Sequence, residues 1–218
     1  MKKQFLNVFA VLAFGAVIVS CQDKAKEAET TEVEEVAEAE ASSVKYTAVA
    51  DESTIGWKGF KPTGTHTGTI GIESGVVTVK DGMVESGTFL IDMSSIENTD
   101  IPESEEGNAK LVGHLKSPDF FDVEKFPTAA FEVTGMEEKD GQTMLSGNLS
   151  MKGEKNNVTF PVSVSESGDM VTIKSEPFTI DRSKWNVKYG SKSFFDNLGD
   201  NFINDDMELT VELKAKKS

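Results

Sequence analysis

The chain has 218 residues, with 22 Lys and Arg against 37 Asp and Glu, for a net charge of −15. That balance argues against nucleic acid as a partner, and against a grip on anionic head groups by the domain surface as a whole. Cys21 is the only cysteine, which excludes an internal disulfide, CxxC redox chemistry and a cysteine zinc site.

Met1, Lys2 and Lys3 precede an apolar run from Phe5 to Val19, and the run closes on Ile18-Val19-Ser20-Cys21. A basic end, a short apolar core and a small residue before the cut predict a cleaved signal peptide over residues 1–20. About 15 apolar residues are short for a helix that must cross roughly 30 Å of hydrocarbon. The last four residues resemble the lipobox of bacterial lipoproteins, which implies a diacylglyceryl group on Cys21 as the first mature residue. An ordinary signal followed by an incidental cysteine is the alternative. Residues 22–43 hold seven glutamates and no aromatic residue. Such a segment buries too little apolar surface to offset ordering, so 21–43 is expected to be a lipidated, acidic, flexible linker. As a coil it would hold the domain roughly 25 Å from the membrane.

From Val44 to Lys216 the pattern is that of one globular domain, expected to bury roughly 70% of its unfolded surface. Apolar and polar residues alternate, as in Val158, Phe160, Val162 and Val164, or Met207, Leu209, Val211 and Leu213. Alternation of this kind puts one apolar face on each strand. Strands are predicted at about Ser53–Phe60, His66–Glu73, Val76–Lys80, Met83–Asp92, Thr128–Gly135, Thr143–Met151, Asn156–Ser165, Met170–Asp181 and Asp206–Ala215. Asp81-Gly82, Asp140-Gly141 and Gly168-Asp169 supply hairpin turns, and Gly153 to Asn157 is read as a further turn. The interval from Ser94 to Pro127 is too long for a hairpin. Within it, Leu111 and Leu115 suit a helix over Glu105 to Lys116, capped by Ser104 or Asn108 and stopped by Pro118. The fold class is all-β: an extended, antiparallel, eight-stranded barrel with a short helical crossover, closed because closure removes both edges.

A barrel of this size is either filled by side chains or holds one ligand. Phenylalanines and methionines abound near the strands, and they suit either a packed core or a floppy apolar ligand. His66 and His114 lie in no metal-binding spacing, and there is no GxSxG elbow, P-loop or GxGxxG. Asp181-Arg182, at a strand end, is read as either a structural ion pair or a head-group site.

One segment is more specific: His114-Leu115-Lys116-Ser117-Pro118-Asp119-Phe120-Phe121-Asp122-Val123-Glu124-Lys125-Phe126-Pro127-Thr128-Ala129-Ala130-Phe131. It resembles the signature of the YceI-like family. Gly87-Thr88-Phe89-Leu90-Ile91-Asp92, Leu145-Ser146-Gly147-Asn148-Leu149-Ser150-Met151-Lys152-Gly153 and Phe178-Thr179-Ile180-Asp181-Arg182 fall in the family's order. His66-Thr67-Gly68-Thr69-Ile70-Gly71 keeps the early histidine and glycine but lacks a phenylalanine. The resemblance implies a lipocalin-like barrel with an apolar tunnel, binding polyisoprenoid chains or similar amphiphiles without catalysis. No cofactor is expected beyond a bound lipid such as a prenyl quinone or prenyl phosphate. Trp57, Phe89, Phe120, Phe121, Phe131, Phe160 and Phe178 are the expected tunnel residues. Of Phe120 and Phe121, one is expected to line the tunnel or its mouth and the other to pack under the crossover. His114 and Arg182 are the expected polar mouth. A packed interaction or stress-response module and a lipid-acting hydrolase or isomerase are the alternatives. Lipidated Cys21 and Gln22 after it imply a cell-envelope protein, by default on the outer membrane, at its periplasmic face or the cell surface.

Overall fold

The computed structural model describes residues 25–218. Cys21 and the expected signal peptide lie outside the described residues. The chain forms an all-β, lipocalin-like ring with eight strand positions, less regular than a simple barrel. Its strands are β1 (Lys26–Glu27), β2 (Glu29–Thr31), β3 (Val44–Ala48), β4 (Thr54–Lys61), β5 (Gly64–Lys80) and β6 (Met83–Asn98). After helix α1 (Glu106–Lys116) come β7 (Thr128–Lys139), β8 (Gln142–Met151), β9 (Glu154–Ser167), β10 (Met170–Ser175), β11 (Phe178–Asp181) and β12 (Asp206–Lys217). Neighbours from β5 to β10 pair antiparallel in chain order. Both β10 and β11 pair with β12. β12 then closes the ring through β3 and β4, which share the position beside β5.

The two strands expected at His66–Glu73 and Val76–Lys80 are one, β5. Ser74-Gly75 is not a turn; the register against β6 shifts between Ile72 and Ser74, so the pair bulges and bends there. Paired turns with positive φ stand at Asp81-Gly82, Asp140-Gly141 and Lys152-Gly153. The turn expected over Gly153 to Asn157 is therefore the tighter Lys152-Gly153, and β9 starts at Glu154. Helix α1 starts one residue later than expected and has no side-chain cap. Asn108 is instead buried, its amide donating to the Ile101 carbonyl at 2.7 Å and the Asn98 carbonyl at 3.2 Å.

The largest departure concerns the acidic segment, which lies against the barrel between residues 26 and 40 as a strap. Glu176 donates to the Pro161 carbonyl at 3.2 Å, and at that point the β9–β10 ladder ends, leaving β11 unpaired with β9. Pro161 and Pro177 have no N–H to continue the ladder. β1 fills the gap parallel to β11, and β2 lies antiparallel to β9. Ala28 between them is 5% exposed. Glu34 then exchanges two hydrogen bonds with the Asn148 amide, at 3.0 and 2.8 Å. Ala37 donates to the Val133 carbonyl at 3.0 Å, and Lys80 reaches Glu40 at 2.6 Å. Composition predicted disorder because it weighs side-chain burial. The strap is held by main-chain bonds to open strand edges, whose polar groups need partners in any case.

Candidate functional site: an apolar cavity with a covered mouth

The inward faces of the strands enclose a cavity of about 110 Å³. Of its 23 lining residues only Ser175 is polar, and its hydroxyl accepts from the Val211 N–H at 2.8 Å. A void so lined offers water almost no partners. Phe160 and Phe178 stack across one wall with centroids 4.2 Å apart and planes 7° apart, and Phe131 leans on Phe160 at 5.7 Å. Phe89 completes this aromatic part of the lining. Two glycines make room for the rings. A Cβ on Gly147 would stand 2.2 Å from the Phe131 ring, and one on Gly75 would stand 2.3 Å from the Phe89 ring.

A second cavity, of about 180 Å³, adjoins the first towards the open end. Ile70, Phe121 and Met207 line both and form the partition between them. Helix α1 covers the outer cavity with Leu111, His114 and Leu115. Trp57 forms part of the opposite wall, its indole N–H donating to the Glu97 carbonyl at 3.1 Å. Phe120 and Phe121 follow α1 in a turn rather than a strand, so strand parity does not separate them. Both are buried: Phe121 reaches the inner cavity, while Phe120 packs edge-on to His114 at 5.2 Å in the outer one. All nine expected site residues thus stand on one of the two cavities.

Arg182 lines the outer cavity, but four of its five N–H donors are already used. Nε donates to Asn204 O at 3.0 Å, Nη1 to Val187 O at 2.6 Å, and Nη2 to Tyr189 O at 2.9 Å and Ile203 O at 3.1 Å. Asp205 Oδ1 lies 3.6 Å away as an ionic contact without a hydrogen bond. Burial pushes the guanidinium below its ordinary value, while Asp205 and Asp181 oppose that shift. Arg182 therefore organises the loop of residues 186–205, which rims the mouth, and keeps a single Nη1–H beyond these four bonds. His114 stays at the rim, with Tyr189 edge-on at 4.6 Å. His66 Nδ1 pairs with Asp100 at 2.9 Å. Burial is the largest single influence on Asp100 and opposes ionisation, yet hydrogen bonds from Thr67, His66 and Asn98 together hold its carboxyl below its ordinary range. Among the described residues, no three His, Cys, Asp or Glu cluster as metal ligands, and no helix is long and apolar enough to cross a membrane.

The sequence reading missed much of the aliphatic wall, including Leu145, Met151, Ile173 and Leu209. Their alternation was visible, but aromatic residues alone were singled out. Tyr189 and Ile203 were missed because nothing in an irregular loop announces which end of the barrel it rims.

A strand ring closed around a dry cavity, with a helix over one end, defines a lipocalin-like cavity protein. More narrowly, the chain belongs to the YceI-like domain family, whose model matches residues 46–215. A UPF0312 protein of Azotobacter vinelandii is 34% identical over 86 residues, which are 36% of this chain and 43% of that protein; the chain spans less than half the length of this curated relative. The crystal structure of Burkholderia cenocepacia BcnA superposes with a TM-score of 0.59 at 21% identity, covering 76% of this chain and 98% of that one. A polyisoprenoid binding domain from Saccharophagus degradans, implicated in plant cell wall breakdown, superposes at 0.57 with 14% identity, covering 80% and 99%. At these identities the two structures establish the shared fold.

Proposed function

We propose that this protein binds the tail of a polyisoprenoid, such as a prenyl quinone or prenyl phosphate, or of a similar long-chain amphiphile. The observation that carries the reading is the pair of adjoining apolar cavities separated only by Ile70, Phe121 and Met207. An entering chain would run from the mouth past this partition into the inner cavity. Each buried methylene is worth about 0.8 kcal/mol, so a tail of several isoprene units cannot cross water unshielded. The structural likeness to a polyisoprenoid binding domain supports the same ligand class. The role is carriage, sequestration or sensing, without catalysis. The anchor is a lipid on Cys21, and the location is the cell envelope, by default the outer membrane.

The size of the inner cavity favours a second reading. At about 110 Å³ it is smaller than the roughly 300–1,000 Å³ of ordinary ligand pockets, as a packed interaction module would show. Purification under native conditions, solvent extraction and mass spectrometry decide between them. A co-purifying isoprenoid supports binding. Protein that carries no lipid and takes up no added prenyl quinone supports the packed module. Loss of radiolabelled fatty acid in Cys21→Ser tests the anchor.

A further inference from the structure

The loop of residues 186–205 carries three large apolar side chains in water: Tyr189, Phe194 and Phe195, at 45%, 49% and 51% exposure. Their exposure is built in. Phe194 and Phe195 donate backbone bonds to the Ser191 carbonyl at 3.3 and 3.0 Å, and Ser191 is itself fully buried. Ser193 Oγ donates to Asp205 at 2.6 Å, Ile203 donates to Gly190 O at 2.8 Å, and Arg182 holds the base. An ordered loop that keeps adjacent phenylalanines half in solvent has a partner to meet.

Charge says what the partner is. The chain is strongly acidic, yet residues 182–195, which hold the exposed rings, contain no carboxylate and carry Arg182, Lys184, Lys188 and Lys192, the loop's acids Asp196, Asp200 and Asp205 following in its second half. Residues 54–72, whose Phe60, Lys61 and His66 form the facing rim, likewise contain none, although Asp100 pairs with His66 and Asp206 lines the cavity beside them. Asn204 ties the two rims together through the Phe60 carbonyl at 2.9 Å. Lys188 Nζ stands 4.7 Å from the Phe194 ring centre, and Lys192 Nζ 3.5 Å from that of Phe202. Aromatic rings flanked by long cations are the composition that settles at a bilayer interface, with the rings among acyl chains and the ammonium groups among phosphates.

We propose that this rim is a bilayer-docking surface, which sets the mouth of the outer cavity against lipid. The proposal rests on the lipid-binding reading and adds the source from which lipid enters. Tyr189 supplies the continuity: exposed itself, it packs on His114 and Phe120 of the outer cavity, so the docked surface rests directly on the cavity wall.

The test is the full chain carrying Phe195→Trp, mixed with vesicles of phosphatidylcholine and phosphatidylglycerol whose acyl chains are brominated. The parent chain, with Trp57 on the outer-cavity wall and Trp185 fully buried, is measured with the same vesicles to supply the background. The expected result is a blue shift and quenching of the introduced tryptophan beyond any change seen in the parent chain. Phe194→Ser in the same chain should weaken the vesicle affinity read from this quenching roughly tenfold. Lys188→Glu with Lys192→Glu should weaken it only when phosphatidylglycerol is present. Emission unchanged by vesicles overturns the proposal. So does a concentration-dependent dimer in sedimentation that Phe195→Ser abolishes, since a second copy would then be the partner. Lipid found by extraction together with no quenching refutes the docking alone; absence of both refutes lipid binding as well.

Discussion

Arg182→Met removes the guanidinium at nearly constant length and leaves four main-chain carbonyls without their donor. Hydrogen bonds to a charged group contribute about 1.5–3 kcal/mol each, so the gross loss is large. Water recovers part of it, because the loop of residues 186–205 can open outward and rehydrate its carbonyls. Asp205 is also left without its ionic contact, and breaking a buried pair from one side costs about 3–5 kcal/mol. We take roughly 4 kcal/mol as the net cost. At about 2–4 °C per kcal/mol for a domain of this size, Tm should fall by roughly 12 °C. Trp185, fully buried beside the loop and bonded to Leu149 O at 2.8 Å, reports opening of this end through a red shift of its emission. Arg182→Lys keeps the charge but not the planar fork, so it should recover less than half of the loss. A Tm within about 2 °C of the parent, with Trp185 emission unchanged, would refute the reasoning. It would mean that the four bonds are not coupled to folding and that Arg182 is available to a ligand after all.

Ala129→Phe places a ring in the inner cavity, and it should abolish prenyl quinone uptake while the protein stays folded in circular dichroism; uptake at the parental level would place the ligand elsewhere. Asn148→Ala removes the two-point hold on Glu34, so amide hydrogens of residues 28–37 should exchange at least tenfold faster while those of β5 and β6 keep their rates. Gly68→Ala would put a methyl carbon 1.8 Å from the Glu97 carbonyl oxygen, so it should destabilise by more than the usual 1–3 kcal/mol of overpacking, measured by urea unfolding. Asp100 has a lowered folded-state pKa, so the stability it contributes is present above its unfolded value near 4 and is lost as pH falls through the lower folded value. The stability difference between the parent and Asp100→Asn should therefore be full at neutral pH and shrink below about pH 4.

Strand alternation made most of the ring legible in the sequence, because a half-buried strand writes its orientation into every second residue. β8, β9 and β12 needed no more than that, and the Asp-Gly turns fixed their neighbours. The bulge at Ser74-Gly75 was not legible: glycine in a strand reads as a turn until the partner strand shows that pairing continues past it. The aromatic lining was legible for a different reason, since large rings on inward positions have few other places to go. The role of Arg182 was not, because its four acceptors are carbonyls of an irregular loop, and main-chain oxygens leave no mark in a sequence.

The strap shows the same limit with a larger consequence. Its glutamates and small residues describe a chain with nothing to bury, and that description is correct for all but a few side chains such as Ala28. What composition could not show is a demand arising elsewhere. Pro161 and Pro177 end the ladder between β9 and β10 and leave edges of β9 and β11 that need partners. A polar segment is well suited to fill that slot, since it can pair its main chain there while keeping its outward side chains in water. The sheet is thus extended by residues that precede the family domain at 46–215. The segment expected to be a free tether is also part of the barrel, so whatever pulls on residues near Cys21 also pulls on the seam between β9 and β11, whose Val158, Phe160 and Phe178 line the inner cavity.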